Sequence, residues 1–114
     1  MKSDKVYLEH IADCIEAIED YTCEGKQLFF DSRLIQDAVV RNLEIIGEAT
    51  KNISTGTRQT YDHVPWREMA GLRDVLIHDY FGVDIKIVWN VVDRELPRLK
   101  NVITEIIDSL GDRV

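Results

Sequence analysis

Cysteine is scarce in this chain, and the two it has are badly placed for a bridge. Cys14 and Cys23 are nine positions apart in 114 residues. Both fall in one helical pattern, which separates them by roughly 13 Å along a straight axis, beyond the reach of a disulfide. No Cys-x-x-Cys and no paired-cysteine zinc spacing occurs, so both read as reduced, structural thiols. Apolar runs are short. None approaches the roughly 20 residues needed to span a bilayer. The start of the chain, Met1 to Lys5, reaches the acidic Glu9 before a signal-peptide core can form, and the chain is read as cytoplasmic. Positive charge is also in short supply: 14 Lys and Arg stand against 21 Asp and Glu, for a net charge of −7. An acidic chain repels phosphate at long range, so a polyanion partner would have to meet a local cluster of cations. The same acidity suits a basic protein partner. No repeat, low-complexity tract or linker divides the sequence, and one domain over residues 1–114 is expected.

The pattern that is present is helical. Val6, Leu8, Ile11, Ile15, Ile18 and Tyr21 recur at steps of three and four between acidic residues, predicting a helix from about Asp4 to Cys23 with Gly25 as its stop. Asp31 or Ser32 can cap a second helix, whose apolar positions run from Leu34 to Ile53. Ser54-Thr55-Gly56-Thr57 is expected to end it, with a polar loop following. Pro65 suits the first turn of a third helix, from near Trp66 to about Ile77, and Gly82 interrupts that pattern. Asp84 opens a last helix reaching Leu110, with a kink or break expected at Pro97, which lacks a backbone donor.

Four amphipathic helices with short connections predict an all-α, antiparallel four-helix bundle. The last helix is apolar on more than one face: Val91 adjoins Val92, and Ile106 adjoins Ile107. One face packs inside the bundle. A homodimer would cover the other.

The segment with the most chemistry is Arg73-Asp74-Val75-Leu76-Ile77-His78-Asp79-Tyr80. It sets a permanent cation, an imidazole and a phenol within eight positions. Arginine grips phosphate with a planar fork of donors, and histidine exchanges protons near neutrality. On an ideal helix Arg73 and His78 lie roughly 140° apart and do not share a face. Asp74 and His78 are an i, i+4 pair, so the carboxylate can fix the imidazole tautomer. A bent or frayed helix end near Ile77, or a second copy of the chain, would bring Arg73 and His78 around one phosphate. The residues suggest metal-free RNA cleavage, with His78 as general base or acid and Arg73 stabilising phosphoryl charge. No carboxylate–histidine cluster has metal-ligand spacing, and no metal or other cofactor is expected. Taken alone, each of these residues also has a plain reading: Arg73 and His78 as surface residues, and Tyr80 as a half-buried aromatic. Trp66 and Trp89 read as core or interface anchors, and His10 and His63 as solvated. Glu48 and Arg41 read as packing or surface groups, with a place at the site as the other option.

An ordered series of residues extends the motif. Arg41 is followed by Ile46-Gly47-Glu48-Ala49, Pro65-Trp66, Gly71-Leu72-Arg73-Asp74, His78-Asp79-Tyr80, Asp84, Val88-Trp89 and Leu96-Pro97-x-Leu99. Over roughly residues 35–105 the chain resembles the HepT-like family of HEPN-domain ribonuclease toxins, which pair with minimal nucleotidyltransferase antitoxins of the MntA type. The resemblance implies a dimeric HEPN bundle whose motifs line a shared cleft. It implies the toxin of a type VII toxin–antitoxin system, a metal-independent endoribonuclease acting through Arg73 and His78, with Asp74 in support. It also implies that Tyr80 accepts AMP from an MntA-like nucleotidyltransferase partner. An anionic group two residues from His78 would crowd the cleft and repel RNA. The competing reading is a non-catalytic helical dimer that presents a substrate or nucleotide to a nucleotidyltransferase. A purely structural dimer would leave the Arg-x4-His-x-Tyr string unexplained.

Overall fold

The first long apolar stripe becomes α1 (Asp4–Tyr21), which buries Leu8, Ile11, Cys14, Ile15 and Ile18 at three- and four-residue steps. A computed structural model describes residues 3–78 and 84–111; the side chains of 73–78 and 111 fall outside the description. Helix α1 closes where the Thr22 hydroxyl donates to the Ile18 carbonyl at 2.8 Å. The chain then turns at Gly25, whose φ of 98° lies in the left-handed region that a side chain disfavours. A short helix follows, α2 (Lys26–Asp31), which the sequence pattern did not reveal. Its Phe29 is fully buried and lies 5.2 Å from the Trp89 ring.

Ser32 caps α3 (Arg33–Lys51), accepting from the Ile35 amide at 3.2 Å, as the choice between Asp31 and Ser32 allowed. Gln36 reaches back to donate to the Phe29 and Phe30 carbonyls at 3.0 and 3.2 Å. Helix α3 is the centre of the molecule and packs on both α1 and α5. Its buried side includes Val39, Leu43 and Ile46. Thr50 is also fully buried, and its hydroxyl donates to the Ile46 carbonyl at 2.7 Å.

The stretch expected to be a polar loop contains a helical turn and a half, α4 (Thr55–Thr60), capped by Ser54. Arg58 holds it to the end of α3 by donating to the Thr50 and Ile53 carbonyls at 2.8 and 3.1 Å. Asp4, at the start of α1, accepts from both the amide and the hydroxyl of Ser54 and from the Thr57 hydroxyl. That clasp joins the beginning of α1 to the end of α3, so the two helices run antiparallel.

Helix α5 (Trp66–His78) starts right after Pro65, close to the predicted bounds. Then come α6 (Ile85–Asn90), a π-helical segment Val91–Glu95, and α7 (Leu96–Gly111). Asp84 caps α6, accepting from the Lys86 amide at 2.9 Å. The irregularity expected at Pro97 takes the form of this π segment immediately upstream. The Leu96 amide bonds the Val91 carbonyl, five residues back rather than four. Pro97 has no amide proton to offer Asp93, so the ladder slips just before it. Leu96, Leu99, Ile103 and Ile106 bury the inner face of α7. Lys100 pairs with Glu19 at 2.8 Å across the α1–α7 seam.

The described residues are all-helical, and the long helices α1, α3, α5 and α6–α7 form the expected bundle. No described helix is long and apolar enough to cross a membrane.

Candidate functional site

Helix α5 carries Arg73, Asp74 and His78, and its N-terminal half explains how it is held. Trp66 is 6% exposed and Met69 is 3% exposed, both packed in the core cluster. The Trp66 indole donates to the Tyr61 carbonyl at 2.9 Å, so the aromatic anchor also satisfies its polar atom. The Trp66 amide donates to the Val64 carbonyl at 2.8 Å, tightening the entry turn around Pro65. Tyr61 in turn hydrogen-bonds Ser109 of α7 at 2.9 Å. The start of α5 is thus fastened to both α4 and α7.

The backbone remains helical through Ile77, and His78 is the last residue of α5. Arg73 and His78 stand about 7.5 Å apart along the axis and roughly 140° around it. Arg73 occupies the register one turn beyond Met69 and two beyond Trp66. Asp74 and His78 share another face. Tyr80, the fourth residue of the motif, lies outside the described residues.

Because α4 is tied to the end of α3 and leads directly into α5, α5 starts beside the end of α3 and runs back along it. Positions 73–78 consequently fall beside the first half of α3, where Arg41 lies. Two open grooves flank this arrangement. One, of about 400 Å³, runs between α1 and α3 and is lined in part by Tyr7, His10, Arg41, Glu44, Glu48 and Asn52. The other, of about 630 Å³, runs between α5 and α7 and is largely apolar, with Met69, Leu72, Leu99 and Val102 along it. Glu68, Glu95 and Arg98 stand at its edge.

Arg41 has a side chain 72% exposed and meets Glu44 at 3.7 Å, a contact that leaves it free to turn toward an anion. Glu48 is exposed on the same ridge, and His10 and His63 are exposed as expected. Trp66 is a core residue, and Trp89 is half-buried against Phe29 and Phe30. Sequence reading did not single out Tyr7 or Asn52. Their signal was a polar stripe at helical spacing, Arg41, Glu44, Glu48 and Asn52, facing Tyr7 and His10 from a helix more than thirty positions away. Among the described residues, no group of three or more His, Cys, Asp or Glu side chains converges on one point.

Residues 11–106 match the family model for ribonuclease HepT-like proteins. The chain is 49% identical over 100 residues to "Probable ribonuclease HepT" of Thermococcus cleftensis, covering 87% of this chain and 91% of that one. It is 43% identical over 110 residues to "Putative RNase TTE0752" of Caldanaerobacter subterraneus, covering 96% and 98% of the two chains. "Gamma-glutamylcyclotransferase and putative RNase MJ0434" of Methanocaldococcus jannaschii is 48% identical over 110 residues, but the chain spans only 50% of its length. No solved structure matches the chain. The fold, the ordered motif and these matches agree: the chain belongs to the HepT-like ribonuclease family.

Proposed function

We propose that this protein is a metal-independent endoribonuclease, the toxin of a toxin–antitoxin pair. The observation that carries the reading is the family match over residues 11–106, which contains the whole Arg73-to-Tyr80 motif and joins the chain to relatives bearing ribonuclease names. His78 takes the proton of a ribose 2′-hydroxyl. The 2′-oxygen then bonds to phosphorus as the bond to the 5′-oxygen breaks, and the leaving oxygen gains a proton from a second histidine. Proton transfer of this kind contributes about 10²–10⁴-fold. Arg73 stabilises the negative charge that grows on the non-bridging oxygens. Asp74, one helical turn before His78, fixes its tautomer.

The separation of Arg73 and His78 around α5 favours a dimer. One helix presents the two groups on different faces, whereas two copies related by a two-fold axis supply an arginine and a histidine to each side of one strand. With a net charge of −7, RNA binding depends on local cations such as an Arg73 from each of two copies. Tyr80 accepts AMP from a nucleotidyltransferase antitoxin, and the added phosphate shuts the cleft to RNA.

Growth on induced expression tests the toxin reading. Wild type should arrest growth, while Arg73→Ala and His78→Ala should not. Arrest that persists in both variants would transfer support to a non-catalytic partner of a nucleotidyltransferase.

A further inference from the structure

Two residues of α5 weaken their own helix, and the chain makes no use of either. Gly71 lies near the middle of α5 with ordinary helical backbone, because the positive φ among the described glycines belongs to Gly25. Glycine there loses more backbone entropy on folding than alanine would. Packing does not require it: a Cβ at Gly71 would meet nothing within 4 Å among the described residues. Arg67, the second residue of α5, sets a cation against the positive end of the helix dipole. It is exposed, and it has no ion pair or hydrogen bond among the described residues. Both share a register with His78. Steps of about 100° place positions 67, 71 and 78 within roughly 40° of one another around α5. Glu68, Met69 and Leu72 line the α5–α7 groove on the other flank of the helix.

We propose that this face of α5 is the track of a single-stranded RNA, with Arg67 binding one of its phosphates away from the cut. Gly71, bare between Arg67 and His78, lets the sugar–phosphate backbone run close to the helix. The Arg67 guanidinium offers a fork of donors to a phosphate, with no carboxylate of its own to displace first. Eleven residues at about 1.5 Å each put Arg67 roughly 16 Å from His78 along the axis, about two or three nucleotides of an extended strand. A chain of net charge −7 attracts RNA poorly at long range, so a cation must stand where the phosphate passes. The stripe at i, i+4, i+7 and i+11 is Arg67, Gly71, Asp74 and His78. It has no apolar ridge for a helix of a second copy to bury, which favours a polyanion as its occupant. Placing the cut at His78 rests on the ribonuclease reading, whereas the binding chemistry of Arg67 and Gly71 does not.

The test separates the two. His78→Ala protein is titrated with a fluorescent single-stranded RNA over a range of salt concentrations. Adding Arg67→Ala should weaken binding about three- to tenfold and flatten the log–log salt dependence by about 0.7, the share of one phosphate. Arg67→Lys should restore the slope. Arg98→Ala, which removes an arginine at the α5–α7 groove instead, should leave it unchanged. Gly71→Leu should weaken RNA binding without lowering Tm, because the new side chain meets open space. RNAs carrying a single uncharged methylphosphonate link then locate the contact. One link, about two or three nucleotides from the cut made by wild type, should matter to protein with Arg67 and not to Arg67→Ala. An unchanged slope in Arg67→Ala, or an equal loss in Arg98→Ala, overturns the proposal. So does a dimer that Gly71→Leu splits into monomers, which gives the face to a second copy. Arg67-dependent binding by a wild type that never cuts keeps the track and removes the ribonuclease reading. Cutting that ignores Arg67 does the reverse, and a protein that binds no RNA overturns both.

Discussion

Replacing Asp4 should loosen the molecule where the start of α1 meets the end of α3 and the cap of α4. Its carboxylate accepts from the Ser54 amide at 3.0 Å, from the Ser54 hydroxyl at 2.6 Å and from the Thr57 hydroxyl. Ser54 also caps α4 by accepting from the Thr57 amide at 3.2 Å. Burial by itself pushes the Asp4 carboxyl up, but hydrogen bonds from Ser54 and Thr57 and the nearby Arg58 charge outweigh it, leaving the group below its ordinary range. Hydrogen bonds to a charged group contribute about 1.5–3 kcal/mol each when fully buried. Asp4 is only partly buried, and water would replace part of what is lost, so the whole clasp is discounted to about 2 kcal/mol. In a chain of this length that lowers Tm by roughly 8 °C. Because the folded-state pKa is depressed, the stabilisation is complete above the unfolded carboxylate value of about 3.9 and disappears as pH falls through the folded value. Urea unfolding of wild type and Asp4→Ala, monitored by circular dichroism from pH 7 down to pH 3, measures this directly. A difference under about 0.5 kcal/mol at pH 7, or one that widens on acidification, would refute the reasoning.

Ile46 is fully buried on α3, and Ile46→Ala should cost about 2–5 kcal/mol in chemical unfolding with no change in the denaturant slope. Cys14 is buried, and burial together with the adjacent Asp13 charge raises its thiol pKa, whereas Cys23 is exposed. A thiol reagent should accordingly modify Cys23 in the native protein and Cys14 only after unfolding; equal rates would contradict the packing of α1. If Tyr80 is the AMP acceptor of the proposed regulation, co-expression with a nucleotidyltransferase of the proposed antitoxin type should add adenylate mass to wild type and none to Tyr80→Phe, as read by intact-mass spectrometry.

The long helices were legible because each repeats its apolar positions over three turns or more. Leu8, Ile11, Ile15 and Ile18 on α1 mark such a face, and all four are fully buried. Ser32 and Asp84 were legible as caps for a local reason: a short side-chain acceptor precedes an apolar run. The six-residue α2 and α4 were not, since so short a helix has no period to detect, and each is held by a contact to α3: Gln36 of α3 donates to the Phe29 carbonyl of α2, and Arg58 of α4 donates to the Thr50 carbonyl at the end of α3. Pro97 announced a disturbance but not its form, because the π segment follows from how the ladder upstream adapts. The motif from Arg73 to Tyr80 was visible as a string, and its family context made it specific. The groove was not visible, because Tyr7 and His10 meet Glu48 and Asn52 only once α1 and α3 lie antiparallel.

Cleavage of an end-labelled single-stranded RNA in excess chelator, by wild type, Arg73→Ala and His78→Ala, addresses the central claim most directly. The account predicts that wild type cuts without divalent metal and that each variant loses about a hundredfold or more in rate. Equal rates for all three proteins, or a wild type that cuts only when metal is restored, would contradict it.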